Sequence, residues 1–433
     1  MFARRIAVVG TGYVGLTTGA CLASLGHRVV CGDLDALKVA RLKAGQVDIL
    51  EPGLNELVVE GQAAGRLEFV VGARNAVLDA EVVFLCLPTP MGAGGAADLS
   101  AVESVAQEIR DVLPYGCIVV CKSTVPVGTS ERVHELLGRE DVAAVSNPEF
   151  LREGTAVHDF LNPDRIVVGS DSPQAAERVA ALFAKLGAPT VLMDAASSEM
   201  VKYAANCFLA MKLSYVNAVA ELCELLGADV TSVCEGMGYD RRIGQSFLKP
   251  GPGWGGSCLP KDTHAMVQIA ESVGVDFSLI RSTIESNKRS QDRIVAKVRD
   301  AVGGDLAGVR VGVLGLAFKA GTNDLRDSPA LAVAEQLVLA GADISAYDPE
   351  VTGPLAGMLV VDDPYQAIKG AEAVVLLTDW PVFRTLDWVR VAELMDGHAI
   401  IDSRNQLDED ALVRAGLLHL GVGRAPLARP QFS

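Results

Sequence analysis

Short apolar runs alternate with helical stretches in the first and last parts of the chain. In the first part they lie at 5–10, 27–32, 81–87, 117–122, 143–145 and 165–169. Runs of this length, with almost no polar positions, are typical of parallel strands that helices cover on both faces. The pattern returns at 309–314, 344–347, 373–377 and 399–401. We therefore expect an α/β protein with two doubly wound, Rossmann-like parallel sheets.

The longest predicted helix, Ser197–Leu226, separates these two parts. It contains neither Gly nor Pro, and Gly227 ends it. Most of its sides are apolar, so we expect it to be buried between domains or subunits. Residues 228–300 also have a helical pattern, and the glycine-containing segment 303–308 is typical of a linker. The predicted domains are an N-terminal domain at 1–196, a central helical region at 197–302 and a C-terminal domain at 303–433.

Three polar residues interrupt the apolar surface of this helix. Lys202 and Asn206 are one turn apart, and Asn217 follows eleven residues later, which returns to nearly the same angle. A polar stripe on so apolar a helix needs polar partners or a ligand. A site role for Lys202 and Asn206 and a satisfied internal network both remain open at this point.

The glycine pattern GxGxxG follows the first apolar run. Gly10, Gly12 and Gly15 stand between a predicted strand and a predicted helix, and Asp33 ends the second strand. This arrangement places a pyrophosphate on a helix N-terminus and an acidic side chain on a ribose hydroxyl, which favours NAD over NADP. The predicted cofactor residues here are Gly10, Gly12, Tyr13, Val14, Gly15, Asp33 and Lys38. For Lys38, an exposed position is an equally good interpretation.

Polar residues follow several of the later strands. Thr89, Thr124 and Glu149 all fall just beyond a strand, and Glu153 lies four residues after Glu149. Ligands of doubly wound sheets bind beyond the carboxyl ends of the strands, so these side chains are candidates for ligand contact. Helix capping by the threonines and solvent exposure of the glutamates are the alternatives.

A loop rich in glycine and proline, FLKPGPGWGGSCLPKD at 247–262, ends in a cysteine. Its composition excludes a helix or central strand and indicates a backbone that comes close to another group. Pro260 and Asp262 suit the first turn of a helix, so Cys258 should stand just ahead of a helix N-terminus, where a thiol's pKa is lowered. A buried structural cysteine in a tight turn is the alternative.

Composition narrows the class of protein. The net charge of −16 argues against nucleic acid or an anionic membrane as partner, and no apolar run is long enough to span a membrane. The nine cysteines include no CxxC pair, so we predict no metal site and a reduced, cytoplasmic protein.

Seven motifs follow one another over nearly the whole chain: VVGTGYVG at 8–15, EPGL at 51–54, STVPVGT at 123–129, NPEFLREGTA at 147–156, EMVKYAAN at 199–206, GGSCLPKD at 255–262 and GLAFKAGTNDLRDSPA at 315–330. Together they resemble the UDP-glucose/GDP-mannose dehydrogenase family. The chain is most similar to bacterial members that act on UDP-glucose. The resemblance implies NAD-dependent, four-electron oxidation of the sugar's C6 alcohol to a carboxylate, with two NAD⁺ consumed.

The family's catalytic residues map onto matching positions here. The resemblance implies that Cys258 is the nucleophile, which carries the aldehyde as a thiohemiacetal and then a thioester. Lys202 and Asn206 would stabilise an oxyanion, and Asp262 would orient Lys202 or a water. Thr124 would help to position that water, and Glu149 would be the base in thioester hydrolysis. Whether Lys202, Asp262, Glu149 or a water is the base in the first oxidation stays open.

Binding residues are carried over in the same way. The resemblance adds Thr89, Thr124, Glu153 and Arg326 to the expected cofactor contacts. An arginine similar to Arg242 reaches the substrate of the neighbouring subunit, which, with the buried long helix, implies at least a homodimer. The implied contacts with the UDP-sugar substrate are Phe150, Leu151, Arg152, Glu153, Lys202, Asn206, Arg242, Phe247, Leu248, Gly255, Lys319 and Arg404.

Alternatives remain for the substrate and the class of protein. Trp254 stands where many relatives have Phe or Tyr, and the wording SCLPKD is shared with GDP-mannose dehydrogenases. GDP-mannose or a UDP-N-acetylhexosamine is therefore the alternative substrate. A two-electron hydroxyacid dehydrogenase would not need Cys258 or the last domain. A catalytically silent nucleotide-binding regulator would tolerate the loss of Cys258, Lys202 or Asp262, yet all three are present.

Overall fold

The computed structural model describes residues 3–424, so 425–433, the end of the predicted third domain, lie outside the described range. Two compact units are present. One contains residues up to 205 together with 264–273, and the other contains 206–263 and the residues from 274 onward. The three-domain division stays a prediction. Within residues 3–424, no helix combines the length and the apolar character that crossing a membrane requires.

The first unit contains an eight-stranded sheet, in the order β3-β2-β1-β4-β5-β6-β7-β8. All neighbouring strands are parallel except β6 and β7, which pair antiparallel at Ser146 and Gly169. The strands are β1 Arg5–Val9, β2 Arg28–Asp33, β3 Leu67–Val71, β4 Val82–Leu85, β5 Ile118–Cys121, β6 Ala143–Ser146, β7 Ile166–Gly169 and β8 Thr190–Met193.

Helices connect these strands, as in a Rossmann-like domain. They are α1 Tyr13–Ser24, α2 Ala36–Lys43, α3 Leu54–Ala63, α4 Ala73–Val77, α5 Ser100–Ile109, α6 Thr129–Leu137, α7 Ala156–Leu161 and α8 Pro173–Ala180, with 3-10 turns at Ala93–Gly95 and Ala181–Leu186. Strands β4 and β5 are buried along their whole length because helices cover both faces of the sheet. Their side chains alternate between two separate apolar cores, one on each face.

The predicted long helix and helical region are confirmed. Helix α9 spans Ala195–Leu226 and is followed by α10 Val230–Gly238, α11 Leu259–Ser272 and α12 Ser278–Ala301. Helices α9 and α11 each contain residues of both units. No helix or strand occurs between Tyr239 and Cys258, which agrees with the glycine-rich loop that the sequence predicts there.

The second unit contains a second, wholly parallel sheet of six strands, in the order β11-β10-β9-β12-β13-β14. The predicted second Rossmann-like domain is thus confirmed. Its strands are β9 Arg310–Leu314, β10 Asp343–Tyr347, β11 Met358–Val360, β12 Ala373–Leu376, β13 Ala399–Asp402 and β14 Leu418–Gly421. Its helices are α13 Pro329–Leu339, α14 Pro364–Ile368, α15 Trp388–Leu394 and α16 Glu409–Arg414, with a 3-10 turn at Pro381–Thr385.

Two glycines of the second unit offer a matched test of packing. A Cβ atom at Gly397 would lie 1.9 Å from the backbone oxygen of Glu372, whereas one at Gly236 in α10 would meet no atom within 4 Å. We expect Gly397→Ala to lower the free energy of unfolding by about 2–3 kcal/mol, because the backbone of Glu372 must shift. Gly236→Ala should raise it by roughly 0.5–1 kcal/mol. Thermal unfolding of both variants checks this, and equal midpoints would contradict the packing at Gly397.

Candidate active site

The turn between β1 and α1 has the geometry of a dinucleotide site. A Cβ atom at Gly15 would lie 1.9 Å from the backbone oxygen of Gly10, so glycine is required where helix and turn touch. A Cβ atom at Gly12 would meet no protein atom within 4 Å. Open space over Gly12, at the N-terminus of α1, is what a pyrophosphate needs. The residues present therefore fit the predicted NAD.

Asp33 ends β2 beside this turn. One carboxylate oxygen of Asp33 accepts hydrogen bonds from the Thr11 N–H at 3.0 Å and the Thr11 hydroxyl at 2.5 Å. The Lys38 ammonium lies 3.2 Å from the same oxygen. Burial raises the pKa of Asp33, but hydrogen bonds from Thr11 and Asp35 and the charge of Lys38 outweigh it and lower the pKa to about 2. Asp33 is thus a fixed anion, suited to a ribose hydroxyl, and Lys38 is tied to it.

The two predicted threonines are adjacent at the ends of β4 and β5. Both are buried, and the Thr89 hydroxyl donates to the backbone oxygen of Thr124 at 2.9 Å. The segment after Thr124 is held by Glu199 of α9, whose carboxylate accepts from the N–H groups of Gly128 and Ser130, both at 2.7 Å. The Thr89 hydroxyl thus joins the turns that follow β4 and β5, and α9 holds the segment that follows Thr124.

Glu149 and Lys202 form a buried ion pair in the first unit. The Lys202 ammonium lies 3.1 Å from a Glu149 carboxylate oxygen, and their side chains are only 4% and 5% exposed. The other oxygen of Glu149 accepts from the Leu151 N–H at 2.6 Å. Burial raises the pKa of Glu149, yet the charge of Lys202, the Leu151 N–H and the charge of Lys122 together hold it below its ordinary value. Glu149 is an anion, as a hydrolytic base must be.

Lys122, one residue beyond β5, belongs to the same buried group, and the sequence analysis did not identify it as a site residue. Its ammonium donates to the side-chain oxygen of Asn147 at 3.0 Å, and the Asn147 amide donates to the backbone oxygen of Val167 at 2.7 Å. Burial lowers the pKa of Lys122 to about 8. The sequence feature that could have identified Lys122 is its position at the end of an otherwise apolar run.

The segment 150–153, predicted to bind substrate, continues from Glu149. The Phe150 ring lies 3.6 Å from the Arg165 guanidinium and 5.3 Å from the Lys202 ammonium. The Arg152 side chain is bound by Asp159, at 2.5 Å for the shortest contact. Arg165 was not identified from the sequence. Glu153 is half-buried in this segment.

In the second unit, Cys258 immediately precedes α11, as predicted. Its backbone oxygen accepts from the Asp262 N–H at 3.0 Å, and its sulfur lies 3.6 Å from the Ser257 hydroxyl. Asp262 is fully buried in the first turn of α11. Its carboxylate accepts from the Asn206 amide at 2.5 Å and from the Lys261 ammonium at 2.6 Å. Asn206 thus belongs to a satisfied buried network, and membership in this network is compatible with the site role that the sequence also allows.

The glycine-rich loop is held by side-chain amides of two helices. Asn217 of α9 accepts from the Gly251 N–H at 2.9 Å, so the third residue of the predicted polar stripe has a structural partner. Asn287 of α12 accepts from the Trp254 N–H and donates to the Trp254 backbone oxygen, both at 2.8 Å. A Cβ atom at Gly255 would lie 2.0 Å from the backbone oxygen of Asp327. This contact supplies the close approach that the loop's composition predicts.

Arg404 lies against the same loop. Its Nε donates to the backbone oxygen of Leu377 at 2.7 Å, and a Cβ atom at Gly251 would lie 3.1 Å from one of its terminal nitrogens. At the start of the loop, Leu248 is buried and Phe247 has a φ of +62°, a left-handed conformation that few bulky residues adopt. Lys319 lies 5.4 Å from the Phe318 ring.

Two predicted arginines are on the surface and pair with neighbours in the chain. Arg242 binds Asp240, and Arg326 binds Asp324, through contacts of 2.6 and 2.7 Å. Both arginine side chains are mainly exposed. Their expected contacts with substrate and cofactor stay predictions, as do the roles assigned to the other site residues.

Three segments of the chain match the domains of one protein family. Residues 4–187, 196–289 and 312–409 match the NAD binding, central and UDP binding domains of the UDP-glucose/GDP-mannose dehydrogenase family. The chain is 43% identical to UDP-glucose 6-dehydrogenase of Rhizobium meliloti, over 97% of this chain and 99% of the relative. It is also similar in structure to a UDP-glucose dehydrogenase of Pyrobaculum islandicum, with a TM-score of 0.90 and 36% identity over 98% of both chains. A UDP-D-ManNAc dehydrogenase of Pyrococcus horikoshii gives a TM-score of 0.88 and 29% identity, over 97% and 99% of the two chains.

The buried pair predicts how stability depends on pH. The pKa of Glu149 lies below its ordinary value of 4.5 in the folded protein, so its charge stabilises the fold above that pH and ceases to do so as the pH falls through the folded pKa. At pH 7, Glu149→Gln should lower the free energy of unfolding by about 3 kcal/mol, because the Lys202 charge loses a buried anion. The difference from the unmodified protein should shrink below about pH 4.5.

Thermal midpoints of both proteins from about pH 2 to pH 8 check this dependence, because the change is expected below pH 4.5. Glu68→Gln, which removes an exposed carboxylate from β3, is the control and should show little change at any pH. A constant difference across the range would contradict the assignment of Glu149 as the titrating partner.

Proposed function

Because the chain belongs to the UDP-glucose/GDP-mannose dehydrogenase family, we propose that it is an NAD-dependent enzyme that oxidises UDP-glucose at C6 to UDP-glucuronate. Identity of 43% to a UDP-glucose 6-dehydrogenase over nearly the full length supports this substrate. The observation that carries the proposal is the position of Cys258, which stands at the head of α11 beside the buried Asn206–Asp262 pair. A four-electron oxidation needs such a thiol, whereas a two-electron oxidation does not.

The first oxidation converts the C6 alcohol to an aldehyde. A base removes the hydroxyl proton while the carbon loses a hydride, and NAD⁺ is the hydride acceptor in each of the two oxidations. A positive charge and a hydrogen-bond donor stabilise the alkoxide that forms. Lys202 and Asn206 supply these groups, and both are buried, so water screens their effect little.

The second oxidation depends on a bond to sulfur. The thiolate of Cys258 adds to the aldehyde carbon, and the resulting thiohemiacetal oxyanion expels a second hydride as it collapses to a thioester. Asp262 holds the Asn206 amide at 2.5 Å, so the amide is oriented before the oxyanion forms. Pre-orientation of this kind is a source of rate enhancement, since no side chain must move during the reaction.

Hydrolysis of the thioester completes the reaction. A water attacks the carbonyl carbon, the carbon–sulfur bond breaks, and a carboxylate and the thiol of Cys258 are released. Glu149 is the base that we assign to this water, because its carboxylate remains ionised despite burial. Thr124, which lies at the end of the neighbouring strand β5, is assigned to position the water.

The substrate is tested by stoichiometry. The similarity to a UDP-D-ManNAc dehydrogenase, at 29% identity, keeps a UDP-N-acetylhexosamine as the second candidate. The purified protein is incubated with excess NAD⁺ and limiting UDP-glucose, UDP-N-acetylmannosamine or GDP-mannose, and NADH is counted per sugar consumed. Two NADH per UDP-glucose are expected. If only another sugar gives two NADH, that sugar replaces UDP-glucose as the proposed substrate. One NADH per sugar would contradict the role of Cys258.

The nucleophile is tested by substitution. We expect Cys258→Ser to abolish complete oxidation, with a loss of at least about 1000-fold, because a serine hydroxyl ionises far less readily than a thiol. Cys234→Ser, at a buried position of α10, is the matched control and should keep the two-to-one stoichiometry. Full turnover by Cys258→Ser would exclude a covalent intermediate on sulfur.

We also propose that the protein assembles as a homodimer through α9. Phe208, Tyr215 and Leu222 recur every seven residues on this helix and are 56%, 57% and 56% exposed, and Leu225 extends the row. A period of seven is the spacing of a helix–helix contact. If this row of side chains packs against the same row of a second copy, the contact is self-complementary, as a two-fold axis requires. Arg242 would then be available to the partner's substrate.

We expect the double variant Phe208→Asp, Tyr215→Asp to be monomeric, because two charges would be buried in the contact. Light scattering coupled to size-exclusion chromatography measures the mass. Leu339→Asp, an exposed position of α13, is the control and should leave the mass unchanged. A monomeric unmodified protein, or a dimeric double variant, would contradict this interface.

A cytoplasmic location completes the proposal. All nine cysteines are free thiols, and eight of them are buried. Protein thiols persist in this form in a reducing compartment, which supports a cytoplasmic location.

A further inference from the structure

The motif EPGL at 51–54 has no role in the proposed reaction, although its glutamate is buried. Glu51 is 6% exposed and precedes α3, which begins after Gly53 in a left-handed turn with a φ of +81°. A buried carboxylate costs free energy unless donors surround it. The identity of those donors indicates what Glu51 does.

Three donors from two distant segments meet at this one carboxylate. One oxygen of Glu51 accepts from the Tyr13 hydroxyl and from the Gly154 N–H, the latter at 2.7 Å. The other oxygen accepts from the Val157 N–H at 3.3 Å. The Gly154 N–H also lies 2.9 Å from the Tyr13 oxygen, which closes a triangle of hydrogen bonds. Burial, followed by the Glu51 hydrogen bond and charge, raises the pKa of Tyr13, so the phenol stays a donor.

The two segments joined in this way carry different ligands in the proposed function. Tyr13 is the first residue of α1 and follows Gly12 of the dinucleotide turn. Gly154 follows segment 150–153, which contains the predicted substrate contacts and begins next to Glu149. We propose that Glu51 is a positioning residue that holds this segment against the dinucleotide turn and thereby couples the binding of NAD to that of the nucleotide sugar.

This inference rests on the proposed function for the identity of the two ligands, but its geometry lies wholly within the first unit. A carboxylate is required because all three groups that face it donate hydrogen bonds. If Gln replaces Glu51, its NH₂ group faces the N–H of either Val157 or Gly154. That buried N–H then has no acceptor. Glu51→Gln therefore changes shape little and disrupts the junction.

The test compares Glu51→Gln with Glu56→Gln, which removes an exposed carboxylate from the first turn of α3. NAD affinity is measured by calorimetry with and without UDP-glucuronate, a product that does not turn over with NAD⁺. We expect Glu51→Gln to raise the Kd for NAD and the KM for UDP-glucose by about tenfold each, the effect of losing a charge-assisted hydrogen bond. In the unmodified protein the nucleotide sugar should change NAD affinity, and in Glu51→Gln this effect should vanish.

Tyr13→Phe is the second variant, in case Glu51→Gln does not fold. It removes one donor of the triangle, so it should reproduce the weaker NAD binding, and combining both changes should add little. A merely structural role predicts a lower thermal midpoint with an unchanged Kd and KM, and that result would overturn the inference. So would an NAD affinity of the unmodified protein that does not respond to the nucleotide sugar.

Failure of the proposed function is recognised separately. If the unmodified protein forms no NADH with any nucleotide sugar, the reaction is wrong. The Kd for NAD of Glu51→Gln relative to Glu56→Gln then decides whether Glu51 positions the dinucleotide turn. An equal Kd in both variants overturns the inference in that case too.

Discussion

The buried ion pair between Glu149 and Lys202 is the interaction on which the first unit depends. Two charges removed from water are tolerated only if each is compensated at close range, because an unpaired buried ion costs on the order of several kcal/mol. The end of β6 must therefore lie opposite one turn of α9 and remain there. Lys122 and Asn147 add a second cation and a hydrogen-bonded amide to the same buried group. Strand register and helix position are thus fixed by charge as well as by apolar packing.

The second unit meets the same constraint with different groups. Asp262 is fully buried at the start of α11, where the helix dipole favours an anion, and Asn206 and Lys261 occupy its carboxylate oxygens. The thiol four residues earlier is consequently attached to a helix end that cannot shift without exposing or unpairing a charge. The fixed position of Cys258 and the fixed orientation of the Asn206 amide are therefore consequences of one hydrogen bond, and the proposed reaction would use both.

Sequence patterns predicted the central strands and the long helix but failed at the sheet edges. The strands that were missed, β3, β8, β11 and β14, are the edge strands of the two sheets. An edge strand has a neighbour on one side only and is less completely covered, so selection for apolar residues is weaker; β8 is mostly exposed, and Glu68 interrupts β3. The antiparallel pairing of β6 and β7 was also missed, since periodicity carries no information on strand direction.

For the site, the sequence located residues but could not identify which residues form pairs. Glu149 and Lys202 are 53 residues apart in the chain, and Asn206 and Asp262 are 56 apart, so no local pattern links them. Glu51 was visible only as part of a motif. Its partners lie 38, 103 and 106 residues away, and only the folded chain shows that they converge.

The nine cysteines illustrate how structure selects among chemically equal candidates. Composition alone makes each a possible nucleophile, and all nine lie within residues 3–424. Burial raises the pKa of Cys21, Cys86, Cys117, Cys121 and Cys207 to about 12, which leaves these thiols protonated and unreactive at neutral pH. Cys258 alone is not buried, and it alone precedes the first turn of a helix beside paired polar groups. The proposal of Cys258 as the nucleophile thus rests on where the fold excludes water, since the residue type is the same at all nine positions.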